Sequence, residues 1–180
     1  TQADCDAPLL GTRQEKFLEI WSTDWQDDDW MKFVFSQSPF VCLQTLPEGT
    51  FGGHQAGLTL YPAGESAPND TPAADADSNA WPQTARNRAL RIIKRANAIH
   101  VCGDQHLGSL ARYGIDSHGD GTFVFCTPAI ANTWPRRWMP KGVPITGNHD
   151  DGFGNKVTVF AVSNPHISGH EPSALHDRAP

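Results

Sequence analysis

Between Pro82 and Cys102 an amphipathic helical pattern runs almost directly into an apolar strand, and this junction constrains the fold more than any other stretch of the chain. Pro82 is suited to the first position of a helix, where its missing N–H is not needed. Ala85, Ala89, Leu90, Ile92, Ile93 and Ala96 supply an apolar side, and Arg86, Arg88, Arg91, Lys94 and Arg95 supply the other. The following run, Ala98-Ile99-His100-Val101-Cys102, reads as a buried strand that ends at Gly103-Asp104-Gln105-His106. A helix delivered straight into a buried strand belongs to a layered α/β fold.

The flanking segments repeat the alternation. Thr12-Arg13-Gln14-Glu15 has the form of a capping box, and Phe17, Leu18, Trp21 and Trp25 follow as a helical stripe that stops in Asp27-Asp28-Asp29. Met31 to Phe35 is short and apolar and reads as a buried strand, closed by Pro39. Thr122 to Cys126 and Lys156 to Val162 read as further strands. From about 47 to 80 the composition changes to Pro, Gly, Ala, Asp and Asn, which predicts an excursion loop within one domain spanning 1–180.

Composition sets outer bounds. A chain of 180 residues suffices for one domain with a core, and Gly 16 with Pro 14 points to many loops. The net charge of −6 argues against a nucleic-acid partner recruited by bulk electrostatics. No apolar run is long enough to predict a membrane span. The cysteines Cys5, Cys42, Cys102 and Cys126 lack CxxC spacing; Cys102 and Cys126, inside strand-like runs, read as core thiols.

Chemistry is most concentrated in Gly103-Asp104-Gln105-His106. A glycine allows the chain to turn at the strand end. On an extended backbone beyond it, Asp104 and His106 at i, i+2 would point the same way, forming a metal half-site from a carboxylate and an imidazole. The plain alternative is an Asp in a turn beside a packed His.

Several pieces in order resemble the second half of the PhoD-like (alkaline phosphatase D) domain of the calcineurin-like metallophosphatase superfamily. They are Leu10-Gly11-Thr12-Arg13-Gln14, Met31 to Phe40, Trp81-Pro82 with Arg86, residues 103–106, Phe125 to Asn132, and Asp151 to Pro165. The resemblance runs from Leu9 to Pro172. It implies an α/β fold, the C-terminal half of a two-sheet αββα sandwich. It also implies two divalent or trivalent metal ions: the family suggests iron and calcium, while zinc or manganese also suit an Asp and His set. By position Asp104 and His106 become metal ligands. The implied activity is hydrolysis of phosphomonoesters or phosphodiesters, in which the cations activate water and clamp the phosphate. The substrate would be a small phosphoester and the compartment extracytoplasmic or secreted. The early ligands of the family have no counterpart here, so a missing N-terminal half or an assembly partner is expected, and this segment alone is expected to be inactive. The alternative is a catalytically degenerate phosphatase-like domain with a binding or structural role.

Two departures qualify the resemblance. Many relatives carry a histidine after the strand matching Phe33 to Phe35, where this chain has Ser36 and Gln37. Gln37 either approaches the metal site as a neutral donor or caps the strand end. Asn148-His149-Asp150 spells the Asn-His-acid signature of metallophosphatases but follows residues 103–106 instead of preceding them, within what reads as a Gly/Asp loop. It is therefore not taken as catalytic. Arg136 and Arg137, with Lys141 and flanked by Trp134 and Trp138, either contact a phosphate or belong to a packed loop. The cations from Arg86 to Arg95 read as a solvated face. His100 reads as core, and His54, His118, His166, His170 and His176 as surface residues.

Overall fold

The computed structural model describes residues 7–50, 58–128 and 136–167. It is a mixed α/β structure with helices α1 (Thr12–Thr23) and α2 (Gln83–Arg95). Its main sheet comprises β1 (Phe33–Phe35), β5 (Ile99–Cys102), β6 (Gly108–Tyr113), β7 (Phe123–Cys126), β8 (Gly147–Asp150) and β9 (Lys156–Ser163). The shorter strands are β2 (Thr45–Pro47), β3 (Tyr61–Pro62), β4 (Asp70–Pro72) and β10 (His166–Ile167). The order across the main sheet is β1-β5-β7-β6-β9-β8. β1, β5 and β7 are parallel, and the remaining pairings are antiparallel. Among the described residues no helix is long and apolar enough to cross a membrane.

The helix-to-strand junction forms as the pattern requires. Ala89, Leu90 and Ile93 of α2 pack with Ala111, Val124, Val157 and Val159 of the sheet. Asn97, at φ +48°, turns the chain out of α2 in the left-handed conformation that asparagine tolerates. The cap of α1 lies one residue earlier than expected. Gly11 N–H donates to the Gln14 side chain at 2.9 Å, and Glu15 instead pairs with Arg88 of α2 at 2.7 Å. The helix ends at Thr23, before the acidic stretch.

The excursion is more structured than its composition suggests. β2 and β4 form an antiparallel ladder, and β3 pairs in parallel with β10.

Among the described residues, one face of the main sheet is covered and the other is not. Alternate residues of β5, β6, β7 and β9 point into the core, including His100, Ala111, Val124 and Val157. On the opposite face, Phe35, Val101, Phe125 and Leu110 lie in successive register across four strands. Phe33, Phe123 and Phe160 are also exposed, and Phe35 reaches 74%. The expectation that Met31 to Phe35 is a buried strand is corrected: β1 is an edge strand, and nothing among the described residues covers its Phe side chains. A contiguous apolar face of this kind favours association. Light scattering of residues 1–180 alone should therefore give a mass above that of a monomer, and Phe35→Ser with Phe125→Ser should lower it. A monodisperse monomer of the unaltered chain would count against this reading of the face.

Candidate functional site

The turn after β5 is held by an unusual backbone. Gln105 N–H donates to the Gly103 carbonyl at 2.6 Å, closing a three-residue turn centred on Asp104. Asp104 has φ +56° and His106 has φ +51°. Left-handed backbone is costly for residues with a Cβ and tends to concentrate at functional sites. The expected geometry is thus corrected. Gly103 is not the residue that takes the left-handed conformation, and Asp104 and His106 do not lie on an extended backbone, so the i, i+2 argument does not describe how they are aimed. Both are half-buried, on a turn beyond the C-terminal end of a parallel strand.

The Asp104 carboxylate is gripped from the segment after β1. Gln37 Nε2 donates to Oδ1 at 3.1 Å, and Ser38 Oγ donates to Oδ2 at 2.9 Å. Gly103 N–H also donates to the Gln37 carbonyl at 3.0 Å. Gln37 therefore does more than close its strand: it orients the candidate ligand. Ser38, which sequence reasoning missed, is buried and performs the same task. Each carboxylate oxygen retains a second lone-pair direction for another partner. Gln105, buried between the two candidate ligands, accepts from Leu43 N–H at 3.2 Å, while its Nε2 has no partner among the described residues.

Beneath this segment runs a buried relay. Phe40 N–H donates to the Tyr113 hydroxyl at 2.9 Å, and that hydroxyl lies 2.7 Å from His100 Nδ1. His100 Nε2 lies 2.8 Å from Ser36 Oγ, which donates to the Ser38 carbonyl at 2.6 Å. With its proton committed there, Ser36 must accept from His100, so Nε2 carries the ring proton and Nδ1 accepts from Tyr113. In this tautomer every donor has an acceptor. A histidine already protonated on Nε2 cannot deprotonate Ser36, so the pair is not an activated nucleophile.

Burial lowers the His100 pKa from the usual 6.5 to about 4. The unfolded chain therefore takes up this proton first, and His100 makes the fold less stable as pH falls from about 6.5 to about 4. The loss should reach about 2 kcal/mol by about pH 5 and about 3 kcal/mol by about pH 4. Denaturant titrations of the unaltered chain and His100→Gln at several pH values should show this component only in the former. Equal pH slopes would refute it.

The remaining candidates lie elsewhere. Arg137 is 2% exposed, and its Nε and Nη2 reach the two Asp70 oxygens at 2.6 and 2.8 Å, beneath the Tyr61 ring. Arg136 pairs with Asp75 and donates to Gln44. Both arginines are thus held by partners from residues 44–75; Trp134 lies outside the described residues. Asn148, His149 and Asp150 form not a loop but the edge strand β8, because they pair with Lys156 to Thr158 of β9. β7, β6 and β9 separate β8 from β5, a span of roughly 19 Å at ordinary strand spacing. His118 Nε2 lies 3.1 Å from Asp150 Oδ1.

Arg86 departs from the solvated face expected for α2, since it is buried with its Nε donating to the Phe40 carbonyl at 2.7 Å. Arg88 and Arg91 do face solvent, paired with Glu15 and Asp116. Cys42, Cys102 and Cys126 are buried free thiols. Cys5, His54, His170, His176 and residues 129–132 of the Phe125 to Asn132 piece lie outside the described residues.

Among the described residues no group of three or more His, Cys, Asp or Glu side chains is arranged to hold a metal ion. Asp104 and His106 do not by themselves make a metal centre. Comparison with protein-family models, curated proteins and solved structures finds no match.

Proposed function

We propose that the chain is the C-terminal part of a PhoD-like, metal-dependent phosphoester hydrolase, with Asp104 and His106 as two of its metal ligands. The observation that carries the reading is the grip on Asp104. Two side chains from another strand end orient its carboxylate, and its backbone is left-handed. The metals, when bound, would activate water and neutralise charge on the phosphate. The role of this chain's own residues is to present one carboxylate and one imidazole in fixed directions, with Gln37 and Ser38 as positioning residues.

The uncovered Phe face supports the same reading. In a two-sheet sandwich that face is buried against a second sheet, which here would come from an N-terminal half or an assembly partner. The remaining ligands would come from there too, since the described residues offer one Asp-His pair and two ions require more donors. A second reading, a phosphatase-like domain with a binding or structural role, draws on the absence of a larger ligand group among the described residues. The longer protein should hydrolyse a generic aryl phosphodiester, lose that activity to a chelator, and regain it on addition of iron with calcium, zinc or manganese. Failure to turn over in any metal would favour the second reading.

A further inference from the structure

Cys102 and Cys126 are the last residues of β5 and β7, which are neighbouring parallel strands, and they stand opposite one another in the register. Both side chains point into the covered face, at 4% and 3% exposure. Ordinary strand spacing is about 4.8 Å, inside the range of roughly 4.4–6.8 Å between Cα atoms that a disulfide spans. Side chains on one face of a sheet also meet its second requirement, Cβ directions that do not diverge. The two thiols are hydrogen-bonded to each other. Each sulfur leans across the other's strand: Cys102 Sγ lies 3.6 Å from the Phe125 carbonyl oxygen, and Cys126 Sγ lies 3.2 Å from that of Gly103. The strands stay together past the pair, since Thr127 N–H donates to the Cys102 carbonyl at 2.8 Å. Cys42 is just as buried, but its sulfur lies against the Ala73 carbonyl at 3.3 Å.

We propose that Cys102 and Cys126 are a redox site, a thiol pair that a small peroxide converts to a disulfide joining β5 to β7 beneath the Asp104 turn. One sulfur attacks the O–O bond of the peroxide and becomes a sulfenic acid, and the first water leaves. The second sulfur displaces the sulfenic hydroxyl, which leaves as a second water. The sulfurs lose two electrons and two protons, and hydrogen peroxide takes up both. Burial slows the first step. Proximity speeds the second, so the sulfenic acid is captured before it is oxidised further. Closure removes the S–H that Cys126 directs at the Gly103 carbonyl, the same carbonyl that accepts from Gln105 N–H to close the turn. The link therefore bears on the backbone under Asp104, but the pairing itself does not rest on the metal reading.

Peptide mapping of the full chain tests this and tolerates self-association. The reduced chain is exposed to hydrogen peroxide, denatured in an alkylating agent, digested with trypsin without reductant and analysed by mass spectrometry. Cleavage after Arg13, Lys32, Arg86, Arg95, Arg112 and Arg136 places the four cysteines on four different peptides. Residues 96–112 joined to 113–136, two hydrogens below their summed mass, are expected in most chains, with Cys42 alkylated. A mixture of unlabelled and 15N-labelled chain should give this link only between peptides of the same label. Cys126→Ser should abolish the link without joining Cys102 to Cys42. Recovery of Cys102 and Cys126 as alkylated thiols or as unlinked sulfinic acids would overturn the proposal. So would a link between differently labelled peptides, or Cys102 joined to Cys5 or Cys42.

Discussion

Asp104→Asn should reduce metal-dependent phosphoester hydrolysis by the longer protein by about a hundredfold or more. The substitution isolates the charge, because asparagine has nearly the same shape and is among the residues that best tolerate φ +56°. Folding should therefore persist while the ligand is lost. Ser38→Ala leaves the carboxylate in place but removes one of its two holders, and about a tenfold loss is expected. Gln37→Ala, which removes the longer and more exposed of the two bonds, should have the smaller effect. This ranking separates the metal-site reading from a merely structural turn. If Asp104 only closed the turn, Asp104→Asn would cost stability without a selective loss of turnover. Steady-state kinetics with circular dichroism on the three variants checks it, and full activity in Asp104→Asn would refute the ligand assignment.

Gly152→Ala should destabilise the chain by about 3 kcal/mol or more, enough to prevent folding in a marginal protein. A Cβ on Gly152 would lie 2.2 Å from both Ala73 C and Ala74 N, and 2.6 Å from the Ala73 carbonyl oxygen. These are backbone atoms and have no rotamer into which to retreat. The segment they belong to is pinned, since Ala73 N–H donates to the Gln44 carbonyl at 3.0 Å. The turn that carries Gly152 is pinned as well. Asp151 gathers three backbone N–H groups, Gln83 reaches the Phe153 carbonyl, and Asn155 reaches the Ala80 carbonyl. Gly154→Ala provides the contrast. There φ is +84°, but the nearest atom outside the turn is the end of the Gln83 side chain at 3.6 Å, so only the left-handed backbone cost of about 1–2 kcal/mol is expected. Denaturation midpoints of the two variants compare a backbone clash with a conformational penalty. Equal midpoints would mean that the approach of Gly152 to Ala73 is not tight.

The parts of the fold legible in the sequence are those whose signal is local. α2 and β5 announce themselves because apolar spacing and length agree over Pro82 to Cys102. β6 does not, because Gly108 and Ser109 open it and its inward residues, Ala111 and Tyr113, are too few to show an alternation. β8 reads as a turn, and it is a strand only because β9 supplies its ladder. The same division holds at the site. The turn at 103–106 stands out as acid and imidazole after a strand, but its left-handed backbone does not. Ser38 could not be found, since its partner lies 66 residues away. The burial of Arg137 was equally hidden, because Asp70 lies in a segment whose composition resembles a loose loop. Partners brought together by topology leave no spacing to read.

The measurement that bears most directly on the central claim is metal content by elemental analysis of the purified longer protein and its His106→Ala variant. Two ions per chain are expected in the unaltered protein and a clear reduction in the variant, with hydrolysis falling in step. Unchanged metal content in a folded His106→Ala variant would contradict the assignment of the turn after β5 as a metal site.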